Sequence, residues 1–266
     1  MKKIFSLILA LTMVVLCFGA CGSQKDAATE AVKDSDYVKA NGKLIIGITD
    51  YEPMNYKDDN GNWTGFDTEF ALAVCEKLGV EAEFVEIDWD NKFPALESKS
   101  IDCIWNGMTI SEEVLQNTNC SAPYVKNAQV VVLSKEKAEQ YKDAESMKNL
   151  VFAAEASSAG AAAAVENGFE SLLEVGTQTD ALLEVTSGSS DACIIDLTMA
   201  KAMLGEDTNY SDLTIACELT SEEYGIGFRK GSDLTEIVNG YMDELIADGT
   251  LPELAEKYGL VLSADA

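Results

Sequence analysis

"NKFPALESKSIDCIWNGMTISEEVL" (Asn91–Leu115) passes from helix to strand and back to helix. Asn91–Lys99 suits a short helix, and "IDCIW" is apolar and β-branched enough for a buried strand. "NGMTISEEVL" then leaves that strand through small polar residues and enters a second helix. Such a junction offers backbone N–H groups and the positive end of a helix dipole to an anion. Here it carries Glu112 and Glu113 and no cation. The two acids read as first-turn dipole partners rather than ligand contacts.

Working outward, the same alternation repeats. "GKLIIGI" (Gly42–Ile48) is a strand, followed by the loop "TDYEPM" and the turn signal "DDNG". Asp67 reads as the N-cap of "TEFALAVCEKL", which Gly79 closes. "VEAEFVEI" is the next strand. Beyond the opening stretch come strands "VFAAEA", "FESLLEV" and "DACIID", interleaved with an alanine-rich helix and the helix "TDALLEVTSG". "EEYGIGFRKGSD" is strand and turn, and two helices split at Gly249-Thr250 close the chain. "GIGF" lacks the spaced third glycine of a dinucleotide fingerprint. "LESKSID" and "VTSGSSD" share [LV]-x-S-x-S-x-D, each followed within two residues by Cys-Ile, as equivalent units of two similar lobes would. Strands alternating with helices imply a parallel-rich α/β layer. Ligands of such sheets sit at the carboxyl ends of the strands.

Composition narrows the chemistry. Lys2 and Lys3, an apolar run Ile4–Phe18 and "FGAC" form an export leader over residues 1–20. Its terminal Cys21 is the expected lipidation site. An ordinary cleaved signal or a retained anchor is the alternative. Residues 21–40 are small and polar, and read as a flexible tether. The 19 basic residues face 46 acidic ones, and the net charge of −27 argues against nucleic acid as a partner. There is no histidine and a single arginine, Arg229. Histidine triads, histidine zinc sites and imidazole acid–base chemistry are therefore excluded. No metal or cofactor is expected. Cys75, Cys103, Cys120, Cys193 and Cys217 are widely spaced and read mainly as small buried hydrophobes, with one or two bridges open.

With these loops in place, the chain resembles the extracellular solute-binding proteins of ABC importers, amino-acid-binding family 3. The resemblance is carried by "IIGITDYEPMNY", "GNWTGFDTEFALAVCEKLGVEAEFVEIDWD", "FPALESKSIDCIWNGMTIS", "SAPY", "SSDACIID", "EEYGIGFRKG" and "ADGTLPELAEKYG", in that order. It implies a two-lobed venus flytrap with two hinge strands. Lobe one would be 41–126 plus 221–262 and lobe two 127–220. By the same resemblance Tyr51 and Trp89 are aromatic walls, though the residues alone fit core packing equally well. Gly107 and Thr109 hold an α-carboxylate with a backbone N–H and a hydroxyl, and Ser158 donates to the same group. Asp196 accepts an α-ammonium, and Glu155 sets side-chain selectivity. Asp50, Asn106 and Met108 complete the expected site. Glu52 and Asp88 are further acids within reach of the cleft.

One position departs from the family. In "MTISEEV" the last residue is normally an arginine that clamps the carboxylate bidentately. Here it is Val114, and Ala159 stands where a hydroxyl is usual. Charge-assisted bonds contribute about 1.5–3 kcal/mol each, so carboxylate binding should be weakened. Several acids without a cation mean that either a cationic ligand joins them or some of them point to water. The expectation is a monomeric, lipid-anchored binding protein on the outer face of the cytoplasmic membrane, passing an amino acid or related amine to an ABC permease. A cyclohexadienyl dehydratase-like enzyme on the same fold is the alternative. Without histidine and the expected arginine, the chain looks poorly equipped for it. A sensor module is the third reading, disfavoured because no spanning segment or kinase follows the last helix before Ala266.

Overall fold

The computed structural model describes residues 33–263. The leader, Cys21 and most of the expected tether lie outside the described residues. The described part opens with α1 (Asp34–Asn41) and β1 (Lys43–Ile48). A small hairpin of β2 (Tyr56–Lys57) and β3 (Trp63–Thr64) leads to α2 (Phe66–Leu78). Next come β4 (Glu81–Glu86), α3 (Lys92–Glu97), β5 (Cys103–Thr109) and α4 (Glu112–Asn117). β6 (Asn119–Cys120) and β7 (Val125–Asn127) complete this block.

The second block holds β8 (Gln129–Ser134), α5 (Lys135–Ala138), β9 (Val151–Glu155) and α6 (Ala159–Glu166). β10 (Ser171–Val175), α7 (Gln178–Ser187), β11 (Ala192–Asp196), α8 (Leu197–Met203) and β12 (Leu213–Glu218) follow. The chain then returns through β13 (Glu222–Phe228) to α9 (Leu234–Ala247) and α10 (Thr250–Tyr258).

These strands make two sheets on one plan. In the first, ordered β4-β1-β5-β13-β6 with β7 also on β13, β1 runs parallel to β4 and β5 while β13 is antiparallel to β5. In the second, ordered β10-β9-β11-β8-β12, β9 runs parallel to β10 and β11 while β8 is antiparallel to β11. Each antiparallel strand is one the chain reaches by crossing between sheets: β7 passes through Ala128 into β8, and β12 passes through 219–221 into β13. This is the expected two-lobed α/β fold with two hinge strands. The first lobe packs around Phe66, Phe70, Trp105 and Tyr124, with the Phe70 and Trp105 rings edge-on at 4.8 Å. In the second, Phe152 and Phe169 stack at 4.0 Å.

The short sequence match marks equivalent structure. Asp102 and Asp191 each precede a central strand, β5 and β11. Asp102 accepts from the Ile45 N–H of β1 at 3.0 Å, and Asp191 from the Val151 N–H of β9 at 2.9 Å. The preceding turns both need a left-handed residue, Lys99 and Gly188. A short side chain clamping the neighbouring strand explains why the aspartate recurs at this place.

Three readings are corrected. The tether ends earlier than Ala40, because Asp34–Asn41 is helical: the Ser35 N–H bonds Asp233 at 3.0 Å, Val38 is fully buried, and Asp34 pairs with Arg229. Asp67 is not a cap, since Gly65 holds that place. Its buried carboxylate instead accepts from the Gly107 N–H at 2.7 Å and the Tyr124 hydroxyl at 2.9 Å. Finally "NGMT" is strand, and the helix begins later, capped by Ser111. The five cysteines of the described residues are all free, with Cys75, Cys103 and Cys193 buried. Burial pushes the Cys75 thiol up to about 12.

Arg229, just past β13, has a structural task. Its guanidinium bonds Asp34 at 3.0 Å, Asp102 at 3.0 Å and the Ile101 carbonyl at 2.7 Å. It thereby ties α1 to the first sheet. Arg229→Met should lower the unfolding free energy by about 3 kcal/mol or more, because buried Asp102 loses its cation. A urea midpoint unchanged from wild type would contradict this. Arg229→Lys should restore little, since an ammonium cannot reproduce the planar fork.

Candidate functional site

The loops after the parallel strands of both sheets converge on one cavity of about 80 Å³. Tyr51 follows β1, Trp89 and Lys92 follow β4, Gly107–Thr109 end β5, Glu155 ends β9, and Asp196 ends β11. Ser158 caps α6 by accepting from the Ala161 N–H at 3.1 Å, and Gln178 opens α7. The arrangement follows from topology: parallel strands in two facing sheets deliver their carboxyl ends to one cleft.

Of the expected site residues, Tyr51, Trp89, Asn106, Gly107, Met108, Thr109, Glu155, Ser158 and Asp196 all line this cavity. Asp50 does not. Alternation past the end of β1 turns Thr49 inward, where its hydroxyl donates to the Asn106 side chain at 2.6 Å, and leaves Asp50 exposed. Glu52 and Asp88 also stay outside the lining. Glu113, read as a dipole partner, lies on the first turn of α4 and yet lines the cavity.

Two expected donors are already engaged. The Gly107 N–H bonds Asp67, and the Thr109 hydroxyl donates to Glu222 at 2.8 Å. Gly107 is glycine for a steric reason. Its φ is +54°, and a Cβ there would stand 2.6 Å from the Tyr51 ring. The Tyr51 hydroxyl bonds Thr198 of α8 at 2.6 Å and Tyr224 of β13 at 2.6 Å, so it spans the two lobes.

Asp196 is the most elaborately held acid. One oxygen, Oδ1, accepts from Asn127 and, at 2.8 Å, from Gln129, and Oδ2 accepts from Gln178. A carboxylate offers about four acceptor sites, so one remains, on Oδ2. Burial, reinforced by the neighbouring Glu222 charge, pushes its pKa up to about 7. Glu155 is 4 % exposed, and no side-chain hydrogen bond reaches its carboxylate among the described residues. Burial and the Asp196 charge push it up to about 8, opposed by Lys92.

Lys92 is the residue that sequence reasoning missed. It is 3 % exposed, and Nζ donates to the Trp89 carbonyl at 3.1 Å and, across the cleft, to the Ser157 carbonyl at 2.9 Å. The ammonium sits 4.9 Å from the centres of both the Trp89 and Phe93 rings. The cleft therefore has a cation of its own, close to the place where Val114 replaces an arginine. Val114 itself is buried in an apolar cluster with Trp89 and Met108.

Residues 44–261 match the family model of bacterial extracellular solute-binding proteins, family 3, and the chain belongs to that family. It is 30% identical over 233 residues to the L-cystine-binding protein TcyJ of Escherichia coli, covering 83% of this chain and 84% of the relative. It is also 30% identical over 268 residues to the arginine-binding extracellular protein ArtP of Bacillus subtilis, covering 97% and 98%. Among solved structures, a mutant of ArgBP from T. maritima superposes with a TM-score of 0.79 at 33% identity, over 85% of this chain and 98% of that one. These relatives are binding proteins. No helix among the described residues is long and apolar enough to cross a membrane.

The chain has no histidine, so no side chain of ordinary pKa titrates between pH 5 and 8. Glu155 near 8 and Asp196 near 7 do so here, as does buried Asp67 near 7. Between about pH 4 and 8 the folded chain holds protons that the unfolded chain has lost, so stability falls as pH rises through that window. Chemical denaturation at pH 5 and pH 8 should show this fall, and Glu155→Gln with Asp196→Asn should flatten it. An equally steep fall in the double variant would place the titration elsewhere.

Proposed function

We propose that this chain captures a small amine-bearing solute, an amino acid or related amine, and delivers it to an ABC permease for uptake. Asp196 carries the reading. It is a buried carboxylate at a strand end, oriented by three amides, with one acceptor site left beside the cavity. Of the charged residues in the lining, Glu155, Asp196 and Lys92 are buried and Glu113 is exposed, and an entering ammonium gives the buried Asp196 carboxylate the cation it lacks. The solute's ammonium sits on Asp196, with Tyr51 forming the adjoining wall and Ser158 at the head of α6 facing it.

Residues 41–126 with 221–262 act as one lobe and 127–220 as the other, opening and closing about the two crossing strands. The protein works as a monomer on the outer face of the cytoplasmic membrane, anchored through lipid on Cys21. It is not an enzyme. The lining carries no imidazole and no arginine to anchor a substrate carboxylate, and its lysine is tied to two carbonyls.

A melting panel of amino acids, diamines, polyamines and quaternary ammonium compounds tests the proposal, because a ligand that binds only the folded chain raises the melting temperature. An amine-bearing solute should give the largest shift. Asp196→Asn should weaken that solute by about 10- to 100-fold in calorimetry, the range of one charge-assisted bond. Response to acids lacking an amine, or an unchanged affinity in Asp196→Asn, would overturn the reading.

A further inference from the structure

The far end of the cleft holds two groups that do not meet. Lys92 and Glu155 both line the cavity and feel each other's charge, yet no ion pair joins them among the described residues. Two of the three Lys92 protons are engaged by carbonyls, and the third has no protein acceptor there. Among the described residues no side-chain or backbone donor reaches the Glu155 carboxyl, although the residue is only 4 % exposed. Burying an ammonium and a carboxylate is costly, and leaving them apart forgoes the attraction that would offset the cost. The aromatic-and-acid box that could hold a solute's second amine is also taken: the Trp89 face already carries the Lys92 ammonium.

We propose that Lys92 and Glu155 form a split pair that selects the solute, reading a group that presents an acceptor beside a donor, such as a primary carboxamide. This rests on the amine site at Asp196 proposed above. A carboxamide oxygen takes the free Lys92 proton, and its NH2 donates to Glu155, so both buried groups gain a partner without a net change of charge. A second ammonium or a guanidinium would meet the tethered Lys92 cation and be rejected. A side-chain carboxylate would satisfy Lys92 but bring Glu155 no N–H donor, and would be tolerated only while that acid keeps its proton.

The test ranks L-glutamine, L-asparagine, L-glutamate, L-arginine, L-lysine and putrescine by calorimetry on wild type, Lys92→Met and Glu155→Gln. Methionine keeps the apolar stem of Lys92, and glutamine keeps the shape of Glu155. Wild type should favour the carboxamides at least 10-fold over the others. Lys92→Met should lose that preference and shift towards L-arginine and L-lysine, while Glu155→Gln should shift towards L-glutamate. Opposite shifts in the two variants are the signature, and if Lys92→Met does not fold, the Glu155→Gln ranking decides alone. L-arginine or putrescine outranking L-glutamine on wild type, or an unchanged ranking in a folded variant, overturns the split pair and leaves the amine site standing. No binding of any amine to wild type overturns the amine site itself, and the split pair with it.

Discussion

Two amides at the crossing between the sheets hold the architecture and the site together. Asn127 Nδ2 and Gln129 Nε2 each donate to both Asp196 and Glu222, Gln129 at 2.8 Å to each. These residues flank Ala128, where the chain leaves one sheet for the other. Glu222 opens the returning strand, and Asp196 ends a central strand of the second lobe. Like charges brought this close repel, so the amides are needed wherever the crossing is formed. The cleft acid is therefore oriented by the hinge itself: a change in the crossing of β7 and β8 must change the donors of Asp196. Thr109, at the end of β5, adds its hydroxyl to Glu222 and brings the first sheet into the same network.

From that centre the cleft grades outward in chemistry. Near the crossing, Asp196 is surrounded by neutral donors, with Tyr51, Thr198 and Tyr224 joined by short hydroxyl bonds behind it. At the far end, no ion pair joins Lys92 and Glu155 among the described residues. Neutral donors orient a carboxylate without cancelling its charge, whereas a direct ion pair would cancel it before a solute arrived. Preorganised but unsatisfied groups cost stability and favour binding, which is why such groups concentrate at functional sites. The lone arginine illustrates the opposite use. Arg229 is engaged by Asp34, Asp102 and two backbone carbonyls, and it fastens the fold.

The fold was largely legible because alternation of strand and helix is a local signal, and most of the site came with it because parallel strands deliver their ends to one place. What escaped detection depends on contacts remote in sequence. Lys92 reads as an ordinary polar residue on the first turn of "NKFPALESK", and nothing nearby shows that Ser157 offers it a carbonyl. Asp34 and Ser35 look like tether because their partners, Arg229 and Asp233, lie near the other end of the chain. Asp67 follows a glycine in a region rich in turn residues, which suits a cap. Its inward turn is decided by Gly107 and Tyr124. Asp50 was assigned to the cleft with its whole loop, although alternation at the strand end separates it from Tyr51 by one peptide and from the cavity by a face of the sheet.

The missing cation of the opening stretch is thus a relocation within the cleft. An arginine on α4 would approach a bound carboxylate from the first lobe alone. Lys92, at the start of α3, instead reaches across to Ser157, whose backbone adopts the uncommon left-handed conformation with φ +56°. A residue held there presents its carbonyl where an extended one would turn it away, and such strain persists only when its surroundings fix it. The lysine thus bonds to carbonyls on both sides of the cleft, Trp89 and Ser157, and its third proton has no protein acceptor among the described residues.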